Sequence, residues 1–254
     1  MEGIKIQSSK GKIAVVIHRP RIKTEKLAIL CPGHLDSKDY SHLVYLANDL
    51  AVLGYTVVRF DPTGTWDSDG SISDYTTTQC FVDIRSIIEY MLRAENFKDI
   101  LLGGHSRGGV VSKLYAVRDP RVSVVLAIMP PYSLIRTVNK DKIEKWKVEG
   151  FRTSVRDIPN SQEKKEFKVP YSEVEDGKQY DVLNDVEKLH TPLILVAGEL
   201  DDVILPEDVR LIYNKANEPK QFILLEGINH DYRHNIDEIK KVNQLVLATE
   251  YIVK

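Results

Sequence analysis

The run Gly104-His105-Ser106-Arg107-Gly108 constrains this chain more than any other segment. It follows the apolar stretch Ile100-Leu101-Leu102-Gly103 and opens a segment with helical spacing. A G-x-S-x-G run between a strand and a helix lifts its serine onto a sharp turn at the end of a sheet. The backbone there is so tight that nearby side chains would collide, and Gly104 and Gly108 remove those collisions. The helix that starts at Ser106 aims free N–H groups and the positive end of its dipole at the site. A glycine-rich turn with a chance serine is the plain alternative, and the rest of the chain bears on the choice.

A strand-to-helix turn of this kind needs a sheet around it. Ile4-Lys5-Ile6 and Ile13 to Ile17 flank Ser8-Ser9-Lys10-Gly11, a hairpin pattern. Leu27 to Cys31, Tyr55 to Phe60, Val122 to Ile128, Leu193 to Val196 and Phe222 to Leu225 are further strand candidates. Helical spacing runs from Tyr40 to Leu53, Thr78 to Arg93, Glu207 to Ala216 and Ile236 to Val253. Strands alternating with helices predict an α/β chain with a mostly parallel sheet covered on both faces. From Tyr132 to about Asp181 no clean period is visible, so this stretch is expected to be an insertion within a single domain, residues 1–254.

Composition narrows the classes. With 35 Lys+Arg against 37 Asp+Glu, the formal net charge of −2 does not suggest nucleic acid or an anionic membrane surface as a partner. No apolar stretch approaches a membrane span, and the first residues lack the apolar core of a signal peptide, so a cytoplasmic protein is expected. Cys31 and Cys80 are expected to be buried free thiols. The oligomeric state stays open, a homodimer included.

A serine hydroxyl needs a base, and the base needs an orienting acid; after such an elbow the order is Ser, Asp/Glu, His. His230 follows the strand ending at Leu225, and His234 is the weaker rival because it nears the closing helix. For the acid, Gly198-Glu199-Leu200-Asp201-Asp202 follows a strand; Asp201 is favoured, with Asp202 and Glu199 as alternatives. Two main-chain N–H groups should face the oxyanion, those of Arg107 and of His34 in Pro32-Gly33-His34-Leu35. No metal and no cofactor are expected, since His230 and His234 flank no zincin helix and lack a third ligand.

With these residues in place, the chain resembles an α/β-hydrolase, and within that superfamily the cinnamoyl/feruloyl esterase-type carboxylesterases. The resemblance rests on Gly104 to Gly109, Arg59-Phe60-Asp61 with Ser68-Asp69-Gly70, Gly198 to Asp201 and Gly227-Ile228-Asn229-His230. It implies an eight-stranded, mostly parallel sheet with helices on both faces. It also implies Ser106, Asp201 and His230 as a catalytic triad, the amides of His34 and Arg107 as the oxyanion hole, and a cap over residues 132–181. The chain departs from the family pattern at two points. Pro32 stands where relatives usually carry histidine, and Trp66 where a second glycine is usual after Gly64.

The implied activity is hydrolysis of small carboxylic esters through an acyl-enzyme, with a small-molecule ester as substrate. An aminopeptidase or a thioesterase would use the same machinery. A non-hydrolytic ligand-binding protein on this scaffold would be signalled by a missing triad residue, and none is missing. Within the insertion, Trp146 and Phe151 are the rings expected to wall an acyl pocket, the alternative being that they build the insertion's own core.

Overall fold

A computed structural model describes residues 1–135 and 140–253. Eight strands form the main sheet: β1 (Glu2–Ser8), β2 (Gly11–His18), β3 (Lys26–Cys31), β4 (Thr56–Phe60), β5 (Asp99–His105), β6 (Val124–Ile128), β9 (Leu193–Gly198) and β10 (Lys220–Leu225). Their order is β1-β2-β4-β3-β5-β6-β9-β10, and β2 alone runs against its neighbours.

The parallel strands are apolar at almost every position because both faces are covered. Successive side chains of β3 show this. Leu27, Ile29 and Cys31 enter one core, with Ile84 and Ile88 of α2 (Thr77–Ala94), Val111 of α3 (Arg107–Ala116) and Val209 of α7 (Pro206–Lys215). Ala28 and Leu30 enter the other, with Leu46 and Leu50 of α1 (Ser41–Val52), Val242 of α8 (Ile236–Leu247) and Ile252 of α9 (Glu250–Val253). The closing helical pattern is thus two helices, broken at Ala248-Thr249, where the Thr249 N–H turns back to the Val246 carbonyl. No helix among the described residues is long and apolar enough to cross a membrane.

The insertion after β6 is more regular than its sequence suggests. It carries α4 (Lys140–Glu149), the antiparallel hairpin of β7 (Phe151–Asp157) and β8 (Lys164–Pro170), α5 (Ser172–Gly177) and then α6 (Val182–Val186). Positions 136–139 of the expected cap lie outside the described residues. Trp146, Phe167, Val169 and Val174 give it a small core, which also takes in Leu35 and Tyr75 from the body. Polar ties add to this. Asp176 accepts from the N–H groups of Thr77 and Thr78 at the start of α2, at 2.7 and 3.1 Å, and Tyr40 donates to the Asp157 carbonyl at 2.8 Å.

Candidate active site

Four turns at the carboxyl ends of β3, β5, β9 and β10 converge, the place where sites gather in parallel sheets. Ser106 sits at φ +54°, ψ −122°, between β5 and α3. That is a strained conformation for a non-glycine residue. Its N–H is tied to the Ile128 carbonyl at 2.8 Å. A Cβ at Gly104 would lie 2.2 Å from the Cys31 carbonyl oxygen, and one at Gly108 2.1 Å from the same atom. Both flanking glycines are therefore demanded by the approach of β3.

His230 lies in the turn after β10. Its Nδ1 is 2.8 Å from Asp201 Oδ2 and its Nε2 3.2 Å from Ser106 Oγ. Asp201 is 2% exposed, and its other oxygen accepts from the N–H groups of Val203 and Ile204 at 2.9 and 2.7 Å. Those two bonds fix the carboxylate so that Oδ2 faces the imidazole. The alternative acids are elsewhere: Asp202 is exposed, and Glu199 accepts from the Gly227 N–H at 2.9 Å. His234 is exposed.

The turn after β3 brings His34 to the same place. Leu35 has φ +57°, which turns the chain sharply after His34. Tyr75 Oη accepts from the Leu35 N–H at 2.9 Å, and Trp66 Nε1 donates to the Leu35 carbonyl at 3.0 Å. Trp66 itself has φ +44°, a left-handed conformation that favours glycine. Its ring stands edge-on to Phe167 of the insertion, so the bulk adds a contact under the cap. Arg107 is the first residue of α3, and a first-turn N–H has no partner within its own helix.

A cavity of about 270 Å³ opens onto Ser106 and His230. Trp146 lines it, 3% exposed, with its Nε1 donating to the Val169 carbonyl at 2.8 Å. Phe151 does not line it; the ring is 40% exposed on the outer face of β7. The expectation for Phe151 is corrected here, and the reason is parity. Along β7 the half-buried side chains are Arg152, Ser154 and Arg156, while Phe151, Thr153, Val155 and Asp157 point outward. The lining residues that the sequence did not point to are charged: Arg152 and Arg156 from the hairpin, Glu173 of α5, and Asp36 and Arg233. The signal was a period-two alternation with its polarity reversed.

The charges around the site are ordered. Burial pushes the Glu173 carboxyl up, but His34, Arg107 and Arg152 outweigh it and hold the group below its ordinary value. His34 Nε2 lies 3.0 Å from Glu173. Arg233, just past His230, pairs with Asp36, just past His34, so one ion pair links the two turns. Under them, burial lowers His42 to about 4 and holds His105 well below its usual value, so both are neutral at pH 7. Burial also pushes the Cys31 thiol up to about 12 and raises Cys80, which leaves Ser106 without a thiolate rival from either.

A model of the alpha/beta hydrolase fold matches residues 27–177. The chain belongs to the alpha/beta hydrolase family. Among curated proteins, this alpha/beta hydrolase is 24% identical to the mitochondrial palmitoyl-protein thioesterase ABHD10 of Bos taurus over 179 residues, 69% of the chain. That match takes in 57% of the relative, so the chain spans little more than half of its length. The alpha/beta hydrolase GrgF from Penicillium sp. sh18 superposes with a TM-score of 0.80 at 20% identity, covering 99% of this chain and 97% of that one. Est1E from Butyrivibrio proteoclasticus, solved with ferulic acid bound, superposes with a TM-score of 0.75 at 20% identity over 96% of each chain. At such identities the likeness to the solved structures is one of fold.

Proposed function

We propose that this alpha/beta hydrolase cleaves small carboxylic esters through an acyl-enzyme, with Ser106 as nucleophile, His230 as general base and acid, and Asp201 as the orienting carboxylate. The observation that carries the reading is the continuous relay from Asp201 through His230 to Ser106, at 2.8 and 3.2 Å. In the first step Ser106 Oγ bonds to the ester carbonyl carbon and passes its proton to His230 Nε2. Asp201 accepts a hydrogen bond from Nδ1–H and stabilises the imidazolium without taking its proton. The N–H groups of His34 and Arg107 receive the carbonyl oxygen as it gains negative charge. Collapse of the intermediate expels the alcohol, which takes the proton from His230. Water then repeats the sequence against the acyl-Ser106 ester and frees the acid.

The cavity supports a short acyl group walled by Trp146, Leu134 and Ile135. Its volume of about 270 Å³ falls at the lower edge of ordinary small-molecule sites, roughly 300–1,000 Å³. A thioester is the second reading, supported by the likeness to a palmitoyl-protein thioesterase. The same steps apply with a thiol as leaving group.

Labelling with a fluorophosphonate probe, together with turnover of oxygen esters and thioesters of equal acyl length, tests both readings. The wild-type chain should be labelled and should turn over at least one series. Ser106→Ala should lose labelling and about 10⁴-fold or more in rate, because such residues act as a unit. Labelling that persists in the variant overturns the assignment of Ser106. Faster turnover of the thioester series decides for the second reading.

A further inference from the structure

The cavity above Ser106 holds more positive charge than its neighbours neutralise. Arg107, Arg152, Arg156 and Arg233 face it, against the carboxylates of Asp36 and Glu173. Arg233 is matched by Asp36. Glu173 serves Arg107, with Nε at 3.8 Å, and His34 at 3.0 Å. Arg152 and Arg156 form no ion pair within 4.0 Å among the described residues; Glu173 attracts Arg152 only from farther away, and it is already shared with Arg107 and His34.

The two guanidinium groups are held, not loose. Arg152 lies over the Trp146 ring, 4.4 Å from its centroid, with one nitrogen 3.5 Å from His34 Nε2. Its Nε is buried without a hydrogen-bond partner among the described residues, and so is Nη2 of Arg107, a residue only 6% exposed. Arg156 donates Nε and Nη2 to the His34 carbonyl at 3.2 and 3.1 Å. A buried donor on a cation that lacks an acceptor is costly unless something fills the place. A guanidinium held against an aromatic face with donor capacity left over is an arrangement that takes a carboxylate or phosphate.

We infer that the substrate carries an anionic group, a carboxylate or a phosphate, which is received by Arg152 with Arg156 and Arg107 beside it in the cavity over Ser106. This rests on the reading of Ser106 as the nucleophile. It adds that neutral esters are the poorer substrates. Arg152 and Arg156 reach the cavity only because β7 turns its even-numbered side chains inward. The anion would thus be read by the cap and the ester by the strand ends.

The test uses methyl esters followed by acid release. Monomethyl succinate, glutarate and adipate are compared with methyl butyrate, valerate and hexanoate. Butyryl glycolate and butyryl glycerol phosphate carry the anion on the alcohol side and distinguish carboxylate from phosphate. At least one anionic ester should exceed its neutral counterpart in kcat/KM by about 10-fold or more, the size expected of a charge-assisted contact. Arg152→Gln should collapse that ratio, mainly through KM, and Arg156→Gln should reduce it less. The ratio is taken within each variant, so loss of folded protein cancels. Should neutral esters equal or exceed every anionic one in the wild-type chain, or should the ratio survive Arg152→Gln, the inference is overturned. Fluorophosphonate labelling of Ser106 separates the two failures: labelling without an anionic preference sinks the substrate class alone, and no labelling sinks the nucleophile as well.

Discussion

A Cβ added at Gly108 would stand 2.1 Å from the Cys31 carbonyl oxygen, whereas one added at Gly150, between α4 and β7, would meet nothing within 4 Å. The two glycines mark two kinds of construction. At the strand ends the backbone itself is crowded, and β3, β5 and α3 fix which residues the turn accepts. In the cap the backbone is open, and the structure is set by which side of a hairpin each side chain takes. The first region holds its groups by main-chain contacts: Asp201 by two N–H donors, Ser106 by the Ile128 carbonyl. The second holds them through side chains, with Arg152 on Trp146 and Glu173 beside His34. Side chains of the second region can therefore change without disturbing the backbone of the first.

The sharpest test of that difference lies in the acid. Asp201→Asn should lower kcat by roughly 10⁴-fold, since an amide favours the wrong imidazole tautomer and cannot stabilise the imidazolium. Asp202→Asn, one residue away and exposed, should leave the rate within a few-fold. Steady-state kinetics on the same ester ranks the two, and the reverse ranking would move the acid to Asp202.

Glycine replacement tests the backbone directly. Gly108→Ala should destabilise by more than about 4 kcal/mol or fail to fold, because the obstructing atom is backbone and cannot swing away. Gly150→Ala should cost about 1–2 kcal/mol, the strain of its φ of +77° alone. Urea melts of both proteins give the comparison; similar losses would erase the proposed contrast between the regions.

Within the cap, Trp146→Ala should lower stability by about 3 kcal/mol and alter the preference among acyl lengths. Phe151→Ala should change stability by less than about 0.5 kcal/mol and leave selectivity alone, as expected of an outward ring. An acyl-length profile shifted equally by both would contradict the parity of β7.

The smallest effect concerns pH. His42 is neutral when folded, its value lowered to about 4 chiefly by burial. Unfolded, it binds a proton below about 6.5, so the unfolded chain gains protons first as pH falls. His42 therefore removes stability between about pH 6.5 and 4. Replacing it by Phe should reduce the loss between about pH 7.5 and 5 by about 2 kcal/mol relative to wild type. Thermal or denaturant melts at the two pH values measure it, and an unchanged difference would mean that His42 is protonated in the fold.

Legibility followed the same divide. The elbow, the strand–helix alternation and the order Ser106, Asp201, His230 were open to sequence reading because crowded backbone restricts residue choice to a few types. The hairpin was not. Period-two alternation is normally recognised by apolar residues facing inward, and β7 faces Arg152 and Arg156 inward and Phe151 and Val155 outward. Hydrophobicity then points to the wrong face. Trp66 shows the opposite limit: a left-handed position filled by a ring carries no glycine signal in the sequence.

The pairing of β7 with β8, Arg152 opposite Val169 and Arg156 opposite Lys165, carries a consequence of its own. Side chains alternate with a period of two, so a one-residue shift of β7 exchanges its faces completely. A shift of β7 by one residue against β8 would turn both guanidinium groups outward and Phe151, Val155 and Asp157 inward. The strand ends carrying Ser106, Asp201 and His230 would not move. On the proposed reading, the chemical character of the accepted ligand is written in the odd and even numbers of one strand.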